Sequence, residues 1–204
     1  MSRPKRKPWI GWHFLPADGM TRYLSPTKVY VGRVLRETRP LVMCECGLHA
    51  CRSALDALGY APGPIACLVE LRGPRIDGPD KSCAAERKCL AKLDATNILH
   101  EFACWCAEQA LKAERKAGRE PDQRSWEAVR VKRRWLKGKA ADEERADAGY
   151  TAWAAARYEA WDASRAASRY DAARDDAARY AARDASRAAQ NKKLESMLRK
   201  AMKK

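Results

Sequence analysis

Runs of apolar residues, some alternating with polar ones, predict several strands in the first half of the chain. The clearest run, residues 65–71, is apolar except for Glu70 and therefore predicts a central strand. A second run, Trp9–Leu15, predicts another strand. The remaining predicted strands are residues 29–35 and 41–44. Gly and Pro residues in 72–80 predict a loop, whereas residues 82–92 fit a strand and a helix equally well.

Apolar residues spaced three and four apart predict three helices before the C-terminal part of the chain. Residues 50–58 have this spacing and precede Gly59, which favours a helix end. Residues 99–117 repeat the spacing over a longer stretch that ends at Gly118. A third helix is expected at residues 125–136.

Alanine pairs repeat every eleven residues in the C-terminal part of the chain. The pairs are residues 155–156, 166–167, 177–178 and 188–189. Eleven residues make almost three helical turns, so the pairs stay nearly on one side and predict one long helix over residues 140–204. Two arrangements stay open: a helix that packs or self-associates through its alanine side, and a solvated single helix stabilised by alanine propensity and ion pairs.

These elements together predict an α+β fold, in which a small mixed sheet with packed helices is followed by a long Ala-rich C-terminal α-helix. A chain of 204 residues has room for one such domain and an extension. The expected parts are a flexible basic arm at 1–8, an α+β domain at 9–118, a basic helical connector at 119–139 and the long Ala-rich helix at 140–204.

The positive charge of the chain is concentrated at its two ends. Of a net charge of +15, residues 1–40 carry nine basic and two acidic groups, a net +7, and residues 151–204 carry thirteen and seven, a net +6. Basic ends attract polyanions through Coulomb attraction and counterion release, although a solvated basic surface without a partner has the same composition. The expected partner is therefore nucleic acid or a host protein associated with nucleic acid.

Two basic clusters are the candidate contacts for nucleic acid. Helical spacing places the four cations of the second cluster on one face, beside Trp126 and Trp135. The candidate residues are Lys5, Arg6 and Lys7 of the arm, and Arg130, Arg133, Arg134 and Lys137 of the connector. Cations between aromatic residues suit a phosphate backbone with unstacked bases, and the same pattern also fits a solvated helix face.

The sequence predicts a cytoplasmic protein without a membrane partner. The basic N-terminus is not followed by the apolar segment of a signal peptide, and no run approaches the ~20 apolar residues of a membrane span. Eight cysteines without a secretory signal are typical of free thiols in a reducing compartment.

One cysteine-rich stretch raises the question of a metal site. Cys44, Cys46, His49 and Cys51 lie close together in the sequence, but the C-x-C spacing differs from the C-x2–4-C pairs usual for zinc. We therefore predict that the protein holds no metal, and we expect its thiols to act as small buried apolar groups.

The stretch C-E-C-G-L-H-A-C at residues 44–51, followed by D-A-L-G-Y and L-V-E-L-R-G, resembles an uncharacterised family of bacteriophage and prophage proteins. Members of that family show a C-x-x-G-(F/L)-H-A-C/S motif, then a short helix, then an apolar strand that ends in Gly. The resemblance implies a small phage-type accessory protein that acts by binding, without a cofactor, in the cytoplasm of a host.

The chain also resembles the ADP-ribosyltransferase fold, in which a strand with a His precedes a Gly and, thirteen residues later, a Tyr. Gly47 and Tyr60 have this separation. The resemblance implies NAD as a cofactor, with His13 at the nicotinamide ribose, Tyr60 stacked on the nicotinamide and His49 in place of an aromatic residue. The site residues that it implies are His13, His49, Tyr60 and the carboxylate of Glu70, with Glu86 as another nearby carboxylate. An NAD-dependent transferase is thus the alternative to a binding function, and whether the chain is an enzyme stays open.

Overall fold

The computed structural model of the protein describes residues 8–22, 26–139 and 176–203, with the backbone alone at 176–182. The predicted basic arm, including Lys5, Arg6 and Lys7, lies outside the described residues except for its last residue. Residues 140–175, which make up much of the predicted Ala-rich helix, also lie outside them.

The described residues form five strands in one sheet. The strands are β1 Trp9–Leu15, β2 Val34–Arg36, β3 Leu48–Ala50, β4 Ile65–Asp77 and β5 Ser82–Asp94. Their order is β1-β4-β5-β2, and β3 also pairs with β5. Every described pairing is antiparallel, which corrects the expectation of a mixed sheet. The reason is the short β4–β5 connection, since parallel neighbours need a long crossover.

The described residues also form four helices. These are α1 Ala54–Gly59, α2 Thr96–Lys116, α3 Gln123–Leu136 and α4 Asp176–Met202. The predicted α+β class is therefore confirmed, and the helix ends predicted at Gly59 and near Gly118 agree with the structure. No described helix is long and apolar enough to cross a membrane.

The long hairpin of β4 and β5 extends well beyond the predicted central strand. Most of the loop predicted at 72–80 is part of β4, because a bulge in the ladder accommodates Gly73 and Pro74. Gly73 has a φ of 72°, which glycine adopts without strain. The chain reverses only at residues 78–81, and the ambiguous stretch 82–92 belongs to strand β5.

Turns replace most of two predicted strands. The strand predicted at 29–35 keeps only its end, as β2, because the chain turns before it and Gly32 has a φ of 83°. The strand predicted at 41–44 is a turn instead, in which the backbone N–H of Cys46 donates a hydrogen bond of 2.8 Å to the carbonyl of Val42. Strand β3 follows this turn and occupies the position where a helix was expected to begin.

One side of the sheet, which we call the inner face, carries the apolar cluster of the strands. Directly paired residues of neighbouring strands share a face, so the register assigns its members. The strand residues of the cluster are Trp9, Leu15, Ala50, Cys67, Val69, Leu71, Ala84 and Cys89. The register adds His13 and Lys92, which pair with Cys67, and Arg87, which pairs with Leu71. The sheet also turns back on itself, because Cys51, just after β3, exchanges backbone hydrogen bonds of 2.7 and 2.9 Å with Trp12 of β1. Strands β1, β4, β5 and β3 therefore form a ring around the inner face.

The described residues divide into two units. The first unit contains the five strands and α1, and the second contains α2, α3 and α4 up to Lys200. Within the second unit, α2 and α3 form an antiparallel helical hairpin. The ring of His100 near the start of α2 lies 5.1 Å from that of Trp135 near the end of α3. At the other end of the hairpin, the Arg115 guanidinium lies 5.0 Å from the Trp126 ring.

Helix α4 is buried along a stripe of three residues spaced one turn apart. Gln190, Leu194 and Leu198 are each exposed by 2 % or less. Ala188 and Ala189, the last of the repeated alanine pairs, are exposed. The described part of the predicted Ala-rich helix therefore packs through leucine rather than alanine, since leucine removes more apolar area from water. Self-association through this helix stays a prediction.

Candidate functional site

The turn before β3 is held against β5 by His49. The Nε2 atom of His49 accepts a hydrogen bond of 3.1 Å from the backbone N–H of Cys44, whose φ is 71°. The imidazole also hydrogen-bonds to the backbone of Gly47. Gly47 has a φ of 127°, and a Cβ at this position would lie 2.2 Å from Cys83 Sγ. The turn thus adopts backbone conformations that L-residues disfavour, and His49 stabilises it.

The imidazole of His49 must be neutral to make both contacts, because a protonated ring nitrogen cannot accept a hydrogen bond. Burial lowers the pKa of His49, and the positive charges of Lys81 and Arg87 lower it further. Since its Nε2 atom holds the backbone of Cys44, His49 is a positioning residue for the turn before β3.

His13 lies on the inner face, directly across from Cys67 of β4. Burial lowers the pKa of His13 well below its ordinary value, and the charges of Arg87 and His49 act in the same direction. The imidazole makes no hydrogen bond to any other residue that the structure describes. His13 is therefore a neutral ring that faces a positive group.

Arg87 is the residue that the sequence patterns did not single out. It is 5 % exposed and lies on the inner face, paired with Leu71. Its Nη1 donates a hydrogen bond of 2.6 Å to the backbone carbonyl of His49. Burial lowers the pKa of Arg87 to about 10, so the guanidinium stays charged at neutral pH. Within the described ranges, no carboxylate forms an ion pair with it.

Two thiols complete the polar part of the inner face. Cys67 and Cys89 are buried, with 0 % and 2 % of their surface exposed. A hydrogen bond with Cys89, together with burial, raises the pKa of Cys67. The same hydrogen bond lowers the pKa of Cys89, as do the positive charges of Lys92 and Arg87. The inner face is thus an electropositive environment that favours a negative group.

The resemblance to ADP-ribosyltransferases implied a site of His13, His49, Tyr60 and Glu70, and the structure brings only some of these residues together. His13 and His49 lie close enough for the charge of His49 to lower the pKa of His13. Glu70 pairs with Ile10 and so lies on the side of the sheet opposite His13.

Tyr60 and Glu70 each have a local partner. The hydroxyl of Tyr60 donates a hydrogen bond to Asp80, which raises the pKa of Tyr60, and Lys81 Nζ lies 4.1 Å from its ring. Glu70 accepts a hydrogen bond of 2.6 Å from Arg72. Tyr60 is 52 % exposed.

We expect the protein to be less stable at pH 5 than at pH 7. The pKa values of His13 and His49 are lower in the folded chain than in the unfolded one, so the unfolded chain binds more protons below about pH 6.5. The stability that the neutral rings contribute is therefore complete above the unfolded pKa and is lost as the pH falls through the folded pKa. Urea unfolding at both pH values measures this loss.

The matched variant for this pH test is His13→Gln, which removes one of the two titrating rings. It should show a smaller difference in unfolding free energy between pH 5 and pH 7 than the wild type. An equal difference in both proteins would contradict the assignment. Glu37 does not interfere, because the hydrogen bonds from Arg39 lower its pKa to about 2, below this window.

The second candidate surface is the helical hairpin of α2 and α3. Residues 96–139 contain eleven Lys and Arg and six Asp and Glu, a net charge of +5. Five of the acidic residues are engaged in ion pairs with arginines of the same hairpin. These pairs are Arg115–Glu120, Arg119–Glu114, Arg124–Asp122, Arg130–Glu127 and Arg133–Glu108. The cations without an acidic partner in the described chain are Lys112, Lys116, Lys132, Arg134, Lys137 and Lys139.

The four cations predicted to share one face of this hairpin therefore differ in their surroundings. Arg130 and Arg133 are neutralised by Glu127 and by Glu108, the latter at 2.7 Å. Arg134 and Lys137 are exposed and have no acidic partner within the described residues. These two are the cations of the predicted set that remain available to a phosphate.

The two tryptophans of α3, Trp126 and Trp135, each have a cation over one face of the ring. Lys132 Nζ lies 3.9 Å from the centre of the Trp135 ring, and Arg115 lies over Trp126. Since these ring faces are occupied, the hairpin offers charge to a ligand rather than open stacking surfaces.

The cysteines behave as free thiols. All eight lie within the described residues, none forms a disulfide and six are buried. Across the described part of the chain, no group of three or more His, Cys, Asp and Glu is arranged to hold a metal ion. Burial also raises the pKa of Cys51 to about 12, which opposes the thiolate that zinc requires. That the protein holds no metal stays a prediction, which elemental analysis can test.

Comparison with known proteins adds one similarity. No curated protein and no solved structure matches the chain. Residues 19–101, less than half of the chain, match the model of a family described as a domain of unknown function, DUF7666. The match contains His49 and Arg87, while His13 precedes it and α3 follows it. Most of the sheet, together with the turn that His49 stabilises, is therefore similar to that domain of unknown function.

Proposed function

We propose that the protein is a small accessory protein that binds nucleic acid through the α2–α3 hairpin, with little preference for sequence. The observation that carries the proposal is the group of six cations without an acidic partner in the described chain. Intramolecular ion pairs neutralise the arginines around them, so the net positive charge of the hairpin is concentrated on this group.

Contacts of this kind recognise the phosphate backbone. A phosphate needs a cation within reach and gains from the release of counterions, whereas sequence is distinguished by contacts to base edges. Arg134 and Lys137 are exposed and one helical turn apart, a spacing that suits neighbouring phosphates. Binding should therefore depend strongly on salt and weakly on sequence.

A cytoplasmic location forms part of this proposal. Free thiols persist in reducing compartments, and all eight cysteines are free. Nucleic acid is abundant in the cytoplasm of a bacterial host, which the resemblance to phage proteins implies.

We expect the double variant Arg134→Ala/Lys137→Ala to bind nucleic acid at least about tenfold more weakly at 100 mM salt, because it loses two phosphate contacts. The slope of log K against log salt should fall by about 1 for each cation removed. Fluorescence anisotropy with a labelled 20-base-pair DNA duplex and a single-stranded RNA, titrated across salt, measures both quantities.

The matched control is Arg124→Ala/Arg130→Ala, which removes the same number of positive charges from the same helix. Both of these arginines are neutralised, by Asp122 and Glu127, so this variant should lose less affinity and keep a steeper salt slope. Equal losses in the two variants would point to net charge alone. Absence of binding at 50 mM salt would refute the proposed function.

A further inference from the structure

The first unit contains a buried positive charge, that of Arg87, for which no described carboxylate is a partner. Arg87 is 95 % buried among apolar and thiol side chains, and its one hydrogen bond within the described residues goes to a backbone carbonyl. An uncompensated buried ion is strongly destabilising, and proteins normally pair or neutralise such groups. The Nε and Nη2 atoms of Arg87 donate to no other described residue.

A second polar group faces the same space. His13 and Arg87 both belong to the inner face, and the imidazole of His13 has no hydrogen bond to a described residue. The inner face thus carries two charged donors, Arg87 and Lys92, and the neutral ring of His13. Of these, Lys92 donates to the carbonyl of Val29, whereas Arg87 and His13 have hydrogen-bonding capacity that no described residue uses. The charge of Arg87 acts on the imidazole of His13, so an anionic group beside Arg87 would balance its charge and also lie near His13.

We propose that the inner face binds the oxoanion group of a small ligand, a phosphate or a carboxylate, with Arg87 as the main contact and His13 as a second hydrogen-bond partner. The planar guanidinium presents its N–H groups in a fork that matches the oxygens of both anions. The site lies in the first unit and is independent of nucleic-acid binding by the α2–α3 hairpin.

One group on the inner face competes with this proposal. Cys89 faces Arg87 and Lys92, so a Cys89 thiolate would itself be the counter-charge of the guanidinium. Lys92 is engaged elsewhere, since its Nζ donates a hydrogen bond of 2.6 Å to the carbonyl of Val29. Cys67 is the other titratable group on this face, and His49, whose charge acts on His13, holds the turn before β3 through its Nε2 atom.

Direct titration of the full-length protein tests the proposal. Inorganic phosphate and acetate, each titrated at pH 7 and constant ionic strength, should show saturable one-to-one binding by calorimetry for at least one of them. The anion that binds more tightly identifies the class of ligand. The same anion should shift the Arg87 Nε–H resonance in a 15N spectrum, which locates the site without any mutation.

Two variants test whether Arg87 and His13 contact the bound anion. Arg87→Met should lose at least about tenfold in affinity, because it removes a charge-assisted hydrogen bond, and His13→Gln should lose less. Arg36→Met is the matched control, since this arginine is exposed and paired with Glu86. If Arg87→Met does not fold, the shift of the Arg87 resonance in the wild type still decides the question.

The proposal fails if neither anion binds, or if Arg87→Met binds as tightly as the wild type. It also fails if a thiolate absorbance near 240 nm is present at pH 7 and is lost in Cys89→Ser, while the anions leave the Arg87 resonance unmoved. In that case the thiolate is the counter-charge. None of these results bears on the salt-dependent binding of nucleic acid by the hairpin.

Discussion

Replacing Gly11 with alanine is expected to destabilise the protein by about 3 kcal/mol. Gly11 lies between Trp9 and His13 on β1, and a Cβ at this position would lie 2.4 Å from the backbone carbonyl oxygen of Cys51 and 2.5 Å from the Trp9 ring. The ring could adjust, but the carbonyl cannot move without loss of its 2.7 Å hydrogen bond from Trp12. The substitution therefore disrupts the point at which the sheet turns back on itself.

Urea unfolding followed by circular dichroism measures this change. Gly59→Ala is the matched control, because a Cβ there would meet nothing within 4 Å and the residue lies at the end of α1. It should leave the stability unchanged or raise it by up to about 1 kcal/mol. Similar results for the two variants would mean that Cys51 does not approach β1 as closely as described.

Truncation of Leu194 or Leu198 to alanine is expected to cost about 2–5 kcal/mol each. Both side chains are fully buried, and they are neighbours one turn apart on α4. Removal of three carbon atoms leaves a cavity that the surrounding residues fill only in part. The loss of stability should be larger than the loss caused by substituting a residue of the repeated alanine pairs, because Ala188 is exposed.

Lys192→Ala provides the control for this helix. Lys192 lies on the exposed side of α4, so its truncation should change the unfolding free energy by less than about 0.5 kcal/mol. Hydrogen exchange of the α4 amides adds a local measurement, and protection should fall in the leucine variants alone. Leucine variants as stable as the lysine variant would show that the helix is not packed along this stripe.

The sequence patterns predicted an element correctly where its structure depends on residues close together in the chain. The strand β1 has its predicted bounds, since an apolar run ended by Pro16 leaves little alternative. The ends of α1 and α2 are set by Gly59 and Gly118, and Gly118 has the φ of 78° that a left-handed helix end requires. These features depend on residues within a few positions of one another.

The predictions that were wrong concern segments whose structure depends on residues far away in the sequence. The stretch at 41–44 has the composition of a strand, but hydrogen bonds within the turn, and His49 beyond it, fold it back. Strand β4 continues through Gly73 and Pro74 because β5 pairs with it on both sides of the bulge that these residues form. A loop assignment from glycine and proline cannot anticipate a bulge that a partner strand stabilises.

The candidate anion site was the least accessible to sequence reasoning. Cys83, Arg87 and Cys89 have the same parity on β5, so a strand there places the arginine in line with buried thiols. Residues 82–92 fit a helix equally well, and only the pairing with β4 removes that ambiguity. The acceptor for Arg87, the carbonyl of His49, comes from a strand that the sequence did not predict.

The way the sheet turns back on itself also affects how the protein behaves at high concentration. The long strands β4 and β5 are paired on both edges for much of their length, and the strands beyond β5, β2 and β3, have three residues each. The outer edge of β1 is partly occupied, by Cys51 at Trp12 and by the Arg52 side chain, which donates a hydrogen bond of 3.3 Å to the carbonyl of Ile10. An aggregating copy needs a row of unpaired backbone groups to add a strand, and this sheet presents only short ones. The first unit should therefore stay dispersed where proteins with open sheet edges form intermolecular β-structure.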